Sequence, residues 1–372
     1  MKIIIVGTAY PYRGGLAAFN ERLAWEYISE GNEVEIYTFQ LQYPSFLFPG
    51  KTQFSSEPPT YDLKIYRKIN SINPFNWIKT GKEIKAKNPD KVIFCYWMSF
   101  MAPCFGTIAR FCKSKSTKCI ALIHNMIPHE PNLLDKMFPS YFVKNMDGFV
   151  AMAKSVVDDI DQFDKNGKPK LVSPHPIYDH YGPIISQKEA VKKLNLDDDY
   201  QYILFFGLVR KYKGLDLLLK AFTDVRFRPL PVKLLIAGEF YEPQEPYDEI
   251  IRKYSLEEDV IIHNEFVPDE MVRYYFNAAA IVAQPYYSAT QSGVTQIAYH
   301  FEKPMLVTNV GGLPEIVPNG KVGYVVEPDA EKIADALLDF FENERSDEFV
   351  TNIREEKKKY TWDKMIESLN KV

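Results

Sequence analysis

The sequence Gln284-Pro-Tyr-Tyr-Ser-Ala-Thr-Gln-Ser-Gly293 leads directly into Val294-Thr-Gln-Ile-Ala-Tyr-His-Phe-Glu-Lys-Pro304. Together they predict a buried strand that ends in a small polar loop and opens a helix. The next predicted strand, 305–308, runs into a second loop, Asn309-Val-Gly-Gly-Leu-Pro-Glu315. Backbone N–H groups at such loops and at helix starts favour anions such as phosphate. If the chain binds a nucleotide, these two loops are where we expect its phosphates.

Strand-length apolar runs alternate with helical patterns in both directions from this region. The runs are Ile3–Val6, Val34–Thr38, Val92–Tyr96, Cys119–Ile123, Gly148–Met152, Lys170–Val172, Tyr202–Phe206, Val232–Ala237, Val260–Ile262, Ala280–Ala283, Met305–Val307 and Gly323–Val326. Near-continuous apolar strands between helices indicate parallel sheets covered on both faces. We therefore predict an α/β protein with two doubly wound, Rossmann-like domains that face each other across a cleft. Ligands of such folds bind at the carboxyl ends of the strands.

A segment rich in proline and aromatic residues, 173–183, interrupts the alternation and marks the boundary between the two domains. We predict an N-terminal domain at 1–178, a C-terminal domain at 179–355 and a final helix at 356–372. Four apolar residues of the final helix recur at helical spacing and need a partner surface. These are Trp362, Met365, Ile366 and Leu369.

Composition excludes several classes of protein. The chain has 372 residues, 46% of them hydrophobic, which is ample for packed cores. Its net charge of −4 argues against a nucleic-acid partner. The four cysteines form no CxxC pair and the histidines no HxxxH pattern, so free buried thiols are favoured over disulfides, and no metal site is predicted. Without a signal-like start or a membrane-length apolar run, a cytoplasmic protein is expected.

A basic loop, Phe206-Gly-Leu-Val-Arg-Lys-Tyr-Lys-Gly214, leaves the first predicted strand of the second domain. Arg210 and Lys213 flank a turn just before a predicted helix start. That end of a helix already carries positive potential, so two cations there suggest a bound anion that neutralises all three charges. A pyrophosphate fits this arrangement, since arginine offers a bidentate fork and lysine a point charge. The alternative is a solvated basic loop.

The two small-residue loops contain further candidate ligands for the donor and its diphosphate. The first loop offers Thr290, Gln291, Ser292 and Gly293, and the second offers Gly311, Gly312 and Glu315. Each set also has a purely structural interpretation. Ser292 alone suits a helix N-cap, and a glutamate near a helix start is favourable without any ligand.

Two candidates lie in the first predicted domain. Gly14 and Gly15 follow the first strand and precede a helix, where a ligand can approach the backbone closely. Their spacing is not GxGxxG, so no dinucleotide fingerprint is present. His124 ends the predicted strand 119–123, at the sheet edge where ligands of α/β folds bind. The alternatives are that Gly14 and Gly15 only form a turn before a helix start, and that His124 is a structural residue.

Taken together, these loops resemble the retaining glycosyltransferases of the GT-B fold, family 4. The resemblance covers nearly the whole chain. It rests on YPYRGG with the helix and strand that follow, on LFFGLVRKYKGLDLLLKAF, on FVPDEMVRYYFNAAAIVAQPY and on KPMLVTNVGGLPEIVPNGKVGYVVEPDAEKIADAL. It implies an acceptor-binding first domain, a nucleotide-sugar-binding second domain and a final helix that packs on the first domain.

One departure concerns two glutamates that family members carry in an E-x7-E arrangement. Alignment on Lys303-Pro304 places Ala289 and Ile297 at those positions, so the glutamate roles are not carried over. The implied reaction is transfer of a sugar from a nucleoside diphosphate, UDP or GDP, to an acceptor hydroxyl with retention. The resemblance assigns Arg210 and Lys213 to stabilising the departing diphosphate and His124 to the donor sugar. It implies no cofactor and no required metal.

The acceptor is expected to be a glycan or a lipid-linked molecule, in synthesis of a cell-surface polysaccharide. A basic helix at 76–87 and a second group of basic residues, Arg110, Lys113, Lys115 and Lys118, suit contact with anionic lipid at the inner face of the cell membrane. A solvated helix face is the alternative. The other functions compatible with the sequence are a nucleotide-sugar epimerase, a glycosyl phosphorylase and a catalytically inactive binding protein of the same fold.

Overall fold

The computed structural model describes residues 1–44, 53–55, 58–127, 133–289 and 292–372. Two compact units are present. One consists of Met1–Pro174 together with Trp362–Val372, and the other of His175–Thr361. Among the helices in these ranges, none combines the length and the apolar character needed to cross a membrane.

The first unit is a parallel seven-stranded sheet with the strand order β3-β2-β1-β4-β5-β6-β7. Its elements are β1 (Lys2–Val6), α1 (Gly15–Ser29), β2 (Glu33–Leu41), β3 (Ile65–Asn70), α2 (Pro74–Ala86), β4 (Lys91–Tyr96), α3 (Ala102–Cys112), β5 (Lys118–Ile123), α4 (Leu133–Lys144), β6 (Gly148–Ala151), α5 (Lys154–Asp161) and β7 (Lys170–Val172). Sequence reasoning missed β3. This edge strand has the sequence IYRKIN and carries charge, so it lacks the continuous apolar run that revealed the others.

Both faces of the first sheet are buried, which is why its central strands are apolar throughout. Ile3 and Ile5 point into one cluster with α1, while Ile4 and Val6 point into the other with α3. Every residue of β4 is buried. This two-sided burial is the property of a parallel sheet covered by helices.

The second unit is a parallel six-stranded sheet with the order β10-β9-β8-β11-β12-β13. Its elements are α6 (Gln187–Lys193), β8 (Gln201–Phe206), α7 (Leu215–Phe222), β9 (Val232–Ala237), α8 (Glu245–Lys253), β10 (Val260–His263), α9 (Asp269–Ala278), β11 (Ala279–Gln284), α10 (Gly293–His300), β12 (Met305–Thr308), α11 (Leu313–Ile316), β13 (Gly323–Val326), α12 (Ala330–Glu342) and α13 (Ser346–Glu356). Because β8, β11 and β12 are neighbours, the loops that follow them meet at one edge of the sheet. The fold is thus α/β with two Rossmann-like units.

The last helix, α14 (Trp362–Lys371), belongs to the first unit. Its apolar stripe packs with α1 and with the adjacent strand face. Lys91 is almost fully buried, and its Nζ donates hydrogen bonds to the carbonyl oxygen of Leu369 at 2.5 Å and to Oδ1 of Asn370 at 2.8 Å. The helix begins at Trp362, six residues after the predicted start at 356, because a short 3-10 turn intervenes.

Candidate active site

The loop after β8 places two cations at the carboxyl edge of the second sheet. After the 3-10 turn 211–213, α7 begins at Leu215. Arg210 is exposed and lies 5.0 Å from the ring centre of Tyr241, whereas Lys213 is half-buried. Within the described ranges, neither cation forms an ion pair with a carboxylate. Burial and the neighbouring Arg210 lower the pKa of Lys213 to about 8.

The loops after β8 and β11 are locked together at Gly214. This residue has a φ of 66°, and a Cβ there would lie 2.0 Å from the carbonyl oxygen of Pro285. The backbone N–H of Tyr287 donates to the carbonyl oxygen of Tyr212 at 2.7 Å, and the Tyr287 hydroxyl donates to Asp216 at 2.8 Å. Only glycine fits this approach, so the basic loop has a fixed position relative to the β11 loop.

Tyr286 links the basic loop to the start of α10. The Nζ atom of Lys213 lies 5.7 Å from the ring centre of Tyr286, which is a cation–π distance. The Tyr286 hydroxyl lies 3.3 Å from Oγ of Ser292, and the Thr308 hydroxyl donates to the Tyr286 carbonyl oxygen at 2.5 Å. One buried tyrosine therefore connects the ends of three neighbouring strand–loop elements.

Ser292 is the N-cap of α10, and its Oγ accepts a hydrogen bond from the backbone N–H of Val294 at 3.3 Å. The structural role considered for this serine is therefore confirmed. Gly293 is the first residue of the helix. Thr290 and Gln291, predicted to bind phosphate with them, lie outside the described residues.

The loop after β12 places Gly311 at the surface and Gly312 in a buried position. The helix expected after this loop is only four residues long, because Pro318 follows and the chain turns into β13. Glu315 is exposed in this short helix, whose N-terminus is too short to provide a strong dipole. The β12 loop contacts the cation loop indirectly, through Thr308 and Tyr286.

In the first unit, the predicted candidates lie around α1. Gly14 and Gly15 are both exposed at its N-terminus, and a Cβ on Gly14 would meet no atom within 4 Å. His124 follows β5, its backbone N–H donates to Tyr96 at 2.8 Å, and its ring packs edge-on against Phe19 of α1 at 4.9 Å. His124 is thus held against the helix that the two glycines begin.

Sequence reasoning missed the residues that support these loops. Asn20 donates to the carbonyl oxygen of Thr8 at 2.8 Å, and Oε1 of Glu21 accepts from the backbone N–H of Tyr10 at 2.7 Å. Burial raises the pKa of Glu21. Polar residues on the buried face of a predicted helix were the available signal, since they require partners.

In the described residues, one group of carboxylates has oxygens close enough together to coordinate a cation. Asp197, Asp198 and Asp199 offer oxygens within 4.8 Å of one another in the described structure, but all three are exposed. They lie before β8, at the opposite end of the strand from Arg210. This cluster does not belong to the candidate site.

A cavity of about 380 Å³ lies in the first unit. Tyr10, Tyr61 and Asp62 contribute its polar groups, and Leu63 and Ile65 its apolar wall. The Tyr61 ring stacks on Trp25 with 5.4 Å between ring centres. Aromatic walls with a few polar groups are typical of small-ligand sites.

Known proteins resemble the chain in sequence and in fold. Residues 186–360 match the family Glycosyl transferases group 1, which takes in the basic loop and both small-residue loops. An uncharacterised glycosyltransferase of Methanocaldococcus jannaschii is 24% identical, with 100% of this chain and 97% of the relative aligned. A D-inositol 3-phosphate glycosyltransferase of Corynebacterium aurimucosum is 29% identical, but over 45% of this chain and 41% of the relative.

Among solved structures, Anabaena HepE in complex with UDP superposes with a TM-score of 0.76 at 13% identity, and all of both chains is covered. This similarity shows the fold, that of the GT-B glycosyltransferases. Residues 186–360 of the chain thus match the glycosyltransferases of group 1, as the resemblance of its loops predicted.

Proposed function

We propose that this enzyme transfers a sugar from a nucleoside diphosphate, UDP or GDP, to an acceptor hydroxyl with retention at the anomeric carbon. The observation that carries the proposal is the pair Arg210 and Lys213, two cations without a carboxylate partner in the described ranges. Their loop is fixed against the β11 loop, whose Tyr286 contacts Ser292 at the start of α10. A diphosphate supplies the missing negative charge. UDP in the structurally similar HepE supports this class of donor.

In the proposed step, the bond between the anomeric carbon and the oxygen of the β-phosphate breaks, and a bond from that carbon to the acceptor oxygen forms. The acceptor proton passes to the departing diphosphate oxygen. Arg210 and Lys213 stabilise the charge that accumulates on the diphosphate in the transition state. Two fixed cations can supply this stabilisation, so we propose that the reaction needs no divalent metal.

The remaining ligands are assigned by their places in the loops. Ser292 and Gly293 offer the N-terminal turn of α10 to the phosphates, together with Thr290 and Gln291, which lie outside the described residues. We assign Gly311, Gly312 and Glu315 to the nucleoside side of the donor. For the first unit, we propose that His124 contacts the donor sugar and that Gly14 and Gly15 let the phosphates approach the backbone closely.

A panel of UDP- and GDP-sugars tests this function. We expect hydrolysis or transfer with at least one of them, persistence of activity in excess EDTA, and a product of unchanged anomeric configuration by proton NMR. Inversion would contradict the retaining mechanism, and loss of activity in EDTA would contradict metal independence. Nucleotide binding with no turnover would favour an inactive binding protein, which the buried apolar residues Ala289 and Ile297 at the glutamate positions make a specific alternative.

For the acceptor, we propose a glycan bound at the cavity of the first unit. Sugar rings present apolar faces that stack on aromatic side chains such as Tyr61, and hydroxyl groups that donate to carboxylates such as Asp62. With an acceptor glycan identified, Tyr61→Ala should raise its KM and leave the donor KM unchanged. An unchanged acceptor KM would place the glycan elsewhere.

We also propose that the enzyme works in the cytoplasm at the inner membrane surface, on a lipid-linked acceptor for cell-surface polysaccharide. Phe75 is 84% exposed at the start of α2, next to the exposed Ile72. Lys79 and Lys82 are exposed one and two turns further along the helix. An apolar tip flanked by cations suits an anionic lipid surface.

Co-sedimentation with vesicles tests the membrane contact. We expect binding to vesicles that contain phosphatidylglycerol at low salt, and weaker binding of Phe75→Ser. Absence of wild-type binding would contradict the proposed membrane contact without affecting the transferase function.

A further inference from the structure

A segment at the start of the second unit, residues 175–182, lies along the whole of α10. At one end, the Tyr178 ring packs against Gly293, the first residue of the helix. At the other end, Nε2 of His300, the last residue of the helix, donates to the carbonyl oxygen of Gly182 at 2.7 Å. The helix that begins at the proposed phosphate loop is therefore fixed at both ends by this segment.

The contact between Tyr178 and Gly293 is close enough that a Cβ on residue 293 would require a shift of a few tenths of an ångström. A Cβ on residue 293 would lie 3.2 Å from Cε2 of Tyr178 and 3.7 Å from its hydroxyl oxygen. Carbon atoms in contact are most favourably 3.5–4.0 Å apart. The ring thus lies close to the backbone of Gly293, the residue after the N-cap.

The Tyr178 hydroxyl is hydrogen-bonded to His175, and the other contact of His175 determines which of the two groups donates. Nδ1 of His175 lies 2.7 Å from the carbonyl oxygen of Pro176, which can only accept, so Nδ1 carries the proton. Nε2 of His175 then accepts from the Tyr178 hydroxyl at 3.1 Å. Burial lowers the pKa of His175 to about 4, so the imidazole is neutral at pH 7 and this arrangement persists.

The backbone of the segment is also anchored. The N–H of Ile177, between His175 and Tyr178, donates to the carbonyl oxygen of Tyr360 at 2.9 Å. Tyr360 is itself buried against Tyr299 of α10, with 4.8 Å between ring centres. Tyr178 is therefore oriented by its hydroxyl and by the main chain beside it.

We propose that Tyr178 is a positioning residue for the donor diphosphate, with His175 orienting its ring. Two tyrosines then define the end of the phosphate loop, since Tyr286 contacts Ser292 and Tyr178 contacts Gly293. Tyr178 holds the first N–H groups of α10 in a fixed direction, and it acts through Gly293 and not by touching the reacting atoms. The inference rests on the proposed function, because it assumes that the phosphates bind at this helix start.

The test compares Tyr178→Ala, Tyr178→Phe and the wild-type chain. UDP and GDP are titrated by calorimetry, and KM and kcat are then measured for the active sugar nucleotide. We expect the Kd of the nucleotide and the donor KM to rise about tenfold in Tyr178→Ala, with kcat changed less than threefold. Tyr178→Phe retains the ring against Gly293 and loses only the hydrogen bond to His175, so its Kd should rise by no more than about threefold. Tyr254→Ala removes a partly exposed tyrosine of the same unit and serves as the matched control.

The outcomes separate the two proposals. If the wild type binds a nucleotide and Tyr178→Ala binds it equally well, or loses only thermal stability, the positioning role is wrong and the proposed function stands. If the wild type binds neither nucleotide, both proposals are wrong. Should Tyr178→Ala fail to fold, Tyr178→Leu replaces it, because a leucine keeps an apolar side chain but cannot form a flat surface against Gly293. The Kd of the nucleotide should rise about tenfold in Tyr178→Leu as well, and an unchanged Kd would contradict the proposal.

Discussion

Lys213 titrates near neutral pH because the fold half-buries its ammonium group and places Arg210 beside it. Both effects disfavour the charged form, so they lower its pKa. A bound diphosphate has the opposite effect, since an anion favours the protonated amine. If the proposed diphosphate binds beside this residue, the charge on Lys213 is coupled to that binding, and binding takes up a proton.

This coupling predicts the pH dependence of nucleotide affinity. Between pH 7 and pH 9 the charged fraction of a lysine with a pKa of about 8 falls about tenfold, and the affinity should fall with it. Calorimetry in buffers of different ionisation enthalpy should show proton uptake near pH 8. Lys213→Arg should lose both the uptake and this part of the pH dependence, because arginine stays charged. Equal pH profiles for the two proteins would contradict the assignment.

Removal of either cation tests its role in catalysis. Arg210→Ala and Lys213→Ala should each lower kcat/KM. The loss should correspond to about 2–4 kcal/mol of transition-state stabilisation, by analogy with loss of an oxyanion donor. Lys211→Ala is the matched control, since Lys211 is an exposed neighbour whose backbone N–H, and not its side chain, makes the recorded contact with Glu242. If kcat/KM falls as much in the control as in the two variants, the effect comes from the overall charge of the loop and not from Arg210 and Lys213.

At this scale the sequence singled out Arg210 and Lys213, whose contact with a diphosphate stays a prediction, and indicated the N-cap role of Ser292, which is confirmed. It did not reveal Tyr286 or Tyr178. Arg210 and Lys213 stand out because basic residues before a helix start oppose the local preference. The tyrosines act through contacts between segments that are distant along the chain: Lys213 with Tyr286, and Tyr178 with Gly293. No local pattern encodes such contacts, so only the folded structure reveals them.

The strand–loop–helix elements around β8 and β11 act together because Gly214 joins their loops. Gly214→Ala should destabilise the second unit and also weaken nucleotide binding, since a Cβ would overlap the carbonyl oxygen of Pro285. Gly320→Ala is the matched control. Gly320 has a φ of 70°, close to the 66° of Gly214, but a Cβ there meets no atom within 4 Å.

The two glycine variants share the cost of a left-handed backbone, roughly 1–2 kcal/mol. Overlap should add about 1–3 kcal/mol to Gly214→Ala alone. Chemical denaturation measures both free energies of unfolding. Equal destabilisation of the two variants would mean that the loops are not locked at this position.

Element prediction succeeded for strands with an apolar run, including the partly exposed β7, β10 and β13, and failed for the charged strand β3. Central strands such as 92–96 are continuous apolar runs, and the sequence located them. The edge strand β3 lacks such a signal. Its existence depends on its pairing with the neighbouring strand, which a local pattern does not contain.

At the scale of the whole molecule, α14 completes a domain whose other elements precede it by almost two hundred residues. Its apolar stripe is buried with α1 in the first unit. The sequence showed that this stripe needed a partner, and the family resemblance indicated which domain provides it. The chain thus crosses between its units twice, once after Pro174 and again after Thr361.

The packing of α14 predicts a large effect of core truncation at the C-terminus. Leu369→Ala should destabilise the first unit by about 2–5 kcal/mol, because Leu369 is fully buried. Lys364→Ala, on the exposed side of the same helix, should change stability by less than about 0.5 kcal/mol. Thermal unfolding followed by circular dichroism distinguishes them. Similar melting temperatures for the two variants would show that α14 is not part of the packed core.

The central claim is that the chain binds the diphosphate of a sugar-nucleotide donor through Arg210 and Lys213. Titration of UDP and GDP into the wild-type chain and into the double variant Arg210→Ala/Lys213→Ala tests it most directly. The account predicts that one nucleotide binds the wild type and that the double variant, still folded by circular dichroism, loses this binding by at least about a hundredfold. Wild-type affinity in the double variant, or no binding of either nucleotide to the wild type, would contradict it.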